Sequence, residues 1–232
     1  MILGHFSASF LPFFSSTLGI LSIVSCYYVA IYYHHEKPLP HTWISKTAQH
    51  YPEFIIFRLG TISNGVLMIL SYFMNHFYLK TVCYEHIVNL NKYKPKLTLF
   101  LGTLGVFALF VNTATIDTGK MNEKLHVACA GSFFLLTILA CLYNTFVYSM
   151  IYLEKKRVIG SWALVAKLVL SAALILQAYL DVTSQAFYSY EAYKSSNLAH
   201  YLEFTLAFTV LGYFFVMGFD LKGYQMVYKS KS

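Results

Sequence analysis

Six apolar stretches, each about as long as a bilayer is thick, alternate along the chain with short polar connectors. A hydrocarbon core is about 30 Å deep, and a segment crossing it must pair every backbone N–H and C=O within itself, which takes roughly 20 helical residues. The runs that meet this are approximately Leu11 to Tyr33, Phe54 to Tyr78, Leu97 to Thr115, Leu125 to Tyr152, Gly160 to Leu180 and Tyr201 to Phe219. The expected fold class is therefore all-α, a polytopic transmembrane bundle of six helices with short loops. Composition points the same way: 57% of residues are hydrophobic and 12% charged, against roughly a quarter charged in soluble chains. The connectors, about 5 to 20 residues long, are too short for a separate globular domain, so one transmembrane domain over residues 1–232 is expected. Residues Met1 to Phe10 lack a basic n-region, and the apolar run after them is as long as a true span, so a cleaved signal peptide is not expected.

Orientation follows from the basic residues at the span borders. One side collects Lys80, Lys92, Lys94, Lys96, Lys155, Lys156, Arg157, Lys222, Lys229 and Lys231, and the other holds Lys37, Lys46, Lys120, Lys124 and Lys194. The positive-inside tendency then puts both termini in the cytoplasm and the first, third and fifth connectors outside or in a lumen. The same juxtamembrane grouping accounts for the net charge of +7 by attraction to anionic lipid headgroups, so nucleic acid is not an expected partner. Tyr27, Tyr28, Tyr32 and Tyr33 crowd one span end, as interfacial rings do. Cys26, Cys129 and Cys141 fall within spans and Cys83 in a connector, with no CxxC and no His pair at metal-ligand spacing.

Polar groups that border or enter the spans concentrate at the non-cytoplasmic side. Pro52-Glu53 opens the second span, a position where Pro is tolerated and Glu complements the helix dipole. Arg58 lies inside the apolar run, where a guanidinium must snorkel or find a partner; Glu53, or a group on another helix, is the expected one. Asn112 and Asp117 end the third span, His126 starts the fourth, Asp181 and Gln185 end the fifth, and His200 and Glu203, three apart on one helical face, start the sixth. Such groups should turn toward the bundle interior or a wet cavity. Glu53, Arg58, His126, His200 and Glu203 are the candidates for gripping a lipid headgroup or a partner. Lys167, near the other end of the fifth span, reads as a snorkelling residue. Catalysis is not expected, because the chain has no GxSxG, HExxH, P-loop or GxGxxG; no metal site and no cofactor are expected either.

Several of these residues also form a recognisable ladder. Phe10-Leu11-Pro12 before the first span, His34-His35 with Pro38 and Pro40 after it, then Ile44-Ser45, Thr47, Pro52-Glu53 and Phe57 resemble the DRAM/Frag/Sfk group of six-span membrane proteins. Leu125-His126-Val127 with Ala130-Gly131 is similar to that group's His-bearing fourth helix, Tyr201-Leu202-Glu203-Phe204 to its Glu-Trp at the sixth, and Asp220 also fits. Two departures stand out. Lys46 replaces an acid of the usual first-loop pattern, and Phe204 replaces the Trp. The group includes damage-regulated autophagy modulators and relatives acting in the lipid remodelling of GPI anchors. The resemblance implies a non-enzymatic modulator of membrane trafficking or autophagy in an endomembrane (lysosome, Golgi) or the plasma membrane, with membrane lipids as partners. Two alternatives stay open: a lumenal-leaflet lipid-remodelling factor, and an accessory subunit that binds other membrane-protein subunits, for instance in an organelle inner membrane.

Overall fold

The chain is described by a computed structural model covering residues 2–86, 95–117, 120–121, 123–154, 160–188, 192–193 and 196–229. Its elements are β1 (Ile2–Ser7), α1 (Phe10–Tyr32), α2 (Ile44–Thr47), α3 (Glu53–His86), α4 (Pro95–Thr115), β2 (Ile116–Asp117), β3 (Lys120–Met121), α5 (Glu123–Glu154), α6 (Ser161–Phe187), α7 (Asn197–Asp220) and β4 (Gln225–Lys229). Six of these helices, all but α2, are long and apolar enough to cross a membrane, and the expected bundle is present. Successive spanning helices pack side by side, and α7 returns to α1, so the six form a closed ring. An even number of crossings leaves both chain ends on one face, where β1 and β4 pair antiparallel with Ser7 opposite Gln225 and Ile2 opposite Lys229. That side is called here the termini face, and the opposite one, which carries the first connector, the loop face.

The helices run further than the apolar segments that reveal them. α3 continues to His86 instead of stopping near Tyr78, and α6 to Phe187 instead of Leu180. Beyond the hydrocarbon the backbone no longer needs apolar side chains, only local support. In α6 Gln185 donates to Asp181 one turn back at 3.0 Å, and Thr183 bonds the Tyr179 carbonyl. Hydropathy ends where the lipid ends; the helix does not.

Helix α3 shows how a chain apolar on all sides chooses its faces. Phe57, Thr61, Asn64, Met68, Tyr72, Asn75 and Leu79 are buried, at intervals of three and four, while Leu59, Ile62, Val66, Leu70, Phe73 and Phe77 are exposed on the other side. The inward seam is the one with small, polar and sulfur-bearing residues. Lipid solvates an aliphatic side chain as well as a neighbouring helix does, so packing and hydrogen bonding decide the interior. Close approach follows where side chains vanish. A Cβ on Gly102 would sit 2.3 Å from the Tyr72 ring, and one on Gly218 would sit 2.6 Å from that of Phe13.

A polar network fills the middle of the bundle. Asn75 donates to Asn144 at 2.9 Å and accepts from the Tyr148 hydroxyl at 2.8 Å. Asn144 and Thr145 meet the Tyr213 hydroxyl, which donates to the Cys141 carbonyl, and Thr145 also meets Ser171. Four helices are thereby joined by groups whose alternative in hydrocarbon is to go unpaired. Below the network lies Lys167, which does not snorkel. Its side chain is fully buried, 2.5 Å from Asp220 at the end of α7 and above the face of the Tyr148 ring. A carboxylate on the adjacent helix gives the ammonium a counter-ion, and reaching for the interface would sacrifice it.

Of the basic residues used to orient the chain, Lys92, Lys94, Lys155, Lys156, Arg157, Lys194 and Lys231 lie outside the described residues.

Candidate functional site

The first connector folds back over the loop face instead of standing away from it. Its direction is set where α1 ends. The His35 N–H bonds the Ala30 carbonyl at 3.0 Å and the His34 N–H bonds Ile31 at 3.1 Å, with His34 at φ 58°. This is the Schellman arrangement, which satisfies the last carbonyls of a helix and turns the chain sharply; a histidine occupies the left-handed position usually given to glycine. The turn delivers His35 to Glu53 at the start of α3, Nδ1 to Oε1 2.7 Å, with the Glu53 side chain fully buried. Glu53 Oε2 has no hydrogen-bond partner among the described residues.

Arg58 reaches another element. Its guanidinium donates to the Ile116 carbonyl at the end of the third span at 2.9 Å and lies 4.2 Å from the Phe54 ring centroid. Neither partner expected for it is the one used: the acceptor is a backbone carbonyl of β2, one residue past the end of α4, and Glu53 pairs with His35.

The sixth span holds the connector from the other side. The Ile44 N–H at the start of α2 donates to Glu203 Oε2 at 2.7 Å. His200, one turn earlier on the same face, is buried with its ring against that of Trp43, centroids 4.6 Å apart. Inside the connector, Thr47 bonds the Ile44 carbonyl, and the Cys26 thiol donates to the Thr47 carbonyl. The first connector is in effect a plug, pinned to α1, α3 and α7.

Beneath and beside the plug lie two cavities. The inner one, about 90 Å³, runs into the bundle past Gly19, Asn64, Met68 and Val210. The outer one, about 390 Å³, lies between α5, α6 and α7 under Trp43 and Lys46, with exposed Val127, Gly131 and Gln185 at its rim. Ser45, His126, Ala130, Phe134 and Glu203 line both, so these residues form the wall between them. His126 Nδ1 is 3.2 Å from the Thr115 hydroxyl, which in turn bonds the Asn112 carbonyl. Two buried acceptors on residues that line the cavities have no partner among the described residues: Asn112 Oδ1 at the inner cavity and Gln177 Oε1 at the outer. At the rim the Tyr193 hydroxyl donates to Asp181. Burial, and then the hydrogen bond to this carboxylate, raise the Tyr193 phenol above its usual range, so it stays a donor at neutral pH.

The structure thus gathers His126 and Glu203 on one wall and seats His200 behind the plug. Glu53 and Arg58 line neither cavity: Glu53 braces the first connector through His35, and Arg58 holds the Ile116 carbonyl of β2. Lys46, Ser45 and Gln177 line the cavities and were not among the expected site residues. Ser45 and Lys46 drew notice only as parts of the first-loop pattern, which says nothing of a cavity, whereas Gln177, an amide inside an apolar run, was a usable signal. Asp117 takes part in the β2–β3 pairing opposite Lys120 through its backbone. Among the described residues, no three His, Cys, Asp or Glu side chains converge as a metal site requires.

Residues 7–224 match the family model described as Frag1/DRAM/Sfk1/Cwh43P N-terminal domain. No curated protein and no solved structure matches the chain.

Proposed function

The chain belongs to the Frag1/DRAM/Sfk1/Cwh43P family, and from that premise we propose that it is a non-enzymatic multi-pass protein. On this reading it holds a membrane lipid at its loop face and thereby modulates membrane trafficking or autophagy. One observation carries the reading: a cavity of about 390 Å³, within the range of small-molecule sites, lies open beside the spans and joins a mostly apolar wall to a few polar groups at its mouth. Apolar residues such as Phe134, Leu202 and Leu206 suit an acyl chain. Lys46 and Asp181 at the mouth suit a headgroup, and the spare acceptor of Gln177 suits a ligand that brings a hydroxyl or amide N–H. The carboxylate of Glu203 is already engaged by the Ile44 N–H, and the ring of His200 by Trp43, which favours holding over bond-making.

The test is the lipid that stays with the protein after extraction in mild detergent, identified by mass spectrometry. Ala130→Trp and Leu206→Trp, which fill the cavity, are expected to lower the bound lipid severalfold at unchanged yield and elution volume, and to lower autophagic flux in cells expressing the variant in place of the parent. Bound lipid that is unchanged in both variants would refute the reading.

A lumenal-leaflet remodelling role is favoured by one feature only, the placing of His126, Ser45 and Glu203 on the shared wall, where an imidazole, a hydroxyl and a carboxylate face the same space. His126→Ala separates the two readings: altered membrane lipid composition at normal protein level supports remodelling, and unaltered composition supports holding alone.

A further inference from the structure

A third cavity lies at the opposite, termini face and shares no lining residue with the two at the loop face. Its volume is about 400 Å³, and its walls include Tyr78 of α3, Trp162 at the start of α6, Phe219 and Asp220 at the end of α7, and Lys222 and Tyr224 in the turn that follows. Asp220 is part of this wall. Its side chain is 1% exposed, and only one oxygen, Oδ2, is held by Lys167. Oδ1 is buried with no donor among the described residues. A buried carboxylate oxygen without a donor is expensive, so a ligand that brings one N–H gains more here than at an open surface.

The rest of the cavity narrows the choice. Trp162 and Phe219 meet edge to face at 4.5 Å, and Tyr78 and Tyr224 at 5.7 Å. Rings around a carboxylate are the surroundings that favour an organic cation, through their negative faces. Lys222, exposed at the mouth, supplies the opposite charge, suited to a phosphate beside that cation. We infer that this cavity binds the ethanolamine phosphate headgroup of a membrane lipid. The primary ammonium donates to Asp220 Oδ1 among the rings and the phosphate lies against Lys222. A trimethylammonium headgroup satisfies the rings but has no N–H for Oδ1, and a glycerol headgroup brings no cation.

The full-length protein in mild detergent is equilibrated with equal amounts of phosphatidylethanolamine, phosphatidylcholine and phosphatidylglycerol, and the retained lipids are quantified by native mass spectrometry. Retained phosphatidylethanolamine is expected in about tenfold excess over the other two. Both at exposed positions outside the Lys167–Asp220 pair and at an unchanged melting temperature, Lys222→Ala should lower retention of all three lipids alike, since each carries the phosphate, and Trp162→Ala should cut the excess over phosphatidylglycerol severalfold. Ala130→Trp, which blocks only the loop-face cavity, should leave it intact, so the two sites fail independently. Equal retention of the three lipids, or an excess over phosphatidylglycerol that is unchanged in Trp162→Ala, overturns the inference. Displacement of the bound lipid by soluble phosphoethanolamine at equal concentration would overturn the assignment to a lipid.

Discussion

Lys167 is where the chain departs furthest from what its sequence suggests. A lysine near a span end reads as snorkelling because nothing within helical reach contradicts it, and its partner Asp220 comes from the last helix. A single sequence displays local spacing, not which helix ends meet. Glu203 and His200 were legible for the converse reason: they sit one turn apart on one helix, and costly groups at a helix start advertise themselves. The pair also sets a sharp expectation. Lys167→Met leaves Asp220 buried without its counter-ion and should destabilise the protein by about 3–5 kcal/mol, whereas Lys167→Met combined with Asp220→Leu should recover most of that loss. Detergent-solubilised protein titrated with SDS reads both, and equal loss in the single and double variants would mean that the ion pair is not what holds this corner.

Among the elements, the spans were visible because lipid demands long apolar runs, and their inward faces were hidden because both faces are apolar. The seam of α3 is marked by Thr61, Asn64 and Asn75 more than by hydrophobicity. The strands left no signal at all, since two to six residues of backbone pairing carry too little pattern. Glycines divide by what faces them. Gly102→Ala pushes a methyl into the Tyr72 ring, which is fixed between helices, and should cost about 1–3 kcal/mol. Gly131, with nothing within 4 Å of its missing Cβ, should gain up to about 1 kcal/mol as Ala from helix propensity. Melting temperatures of the two variants should therefore move in opposite directions.

For the whole molecule, six crossings and one common face for the termini were both legible, from hydropathy and from parity. The outer loop-face cavity was not, because it arises between α5, α6 and α7 beneath a folded connector, and no local spacing encodes which helices stand apart. Which face looks into the cytoplasm is read from charge, and it has a direct test. Tyr51, 69% exposed in the first connector, is replaced by Cys and treated with a membrane-impermeant maleimide in sealed vesicles of known orientation. Labelling is expected only from the non-cytoplasmic side; labelling from the cytoplasmic side would invert the assignment.

The pairing of β1 with β4 has a bearing on how such a chain is made. β1 is made before the six spans and β4 after them, and they meet only if the number of crossings between them is even. A chain in which one helix has failed to insert leaves β4 on the wrong side of the bilayer and β1 an unpaired edge. The small ribbon thus stays open whenever one span is missing, and an open β1 edge is a mark by which quality control could tell such a copy from a finished one.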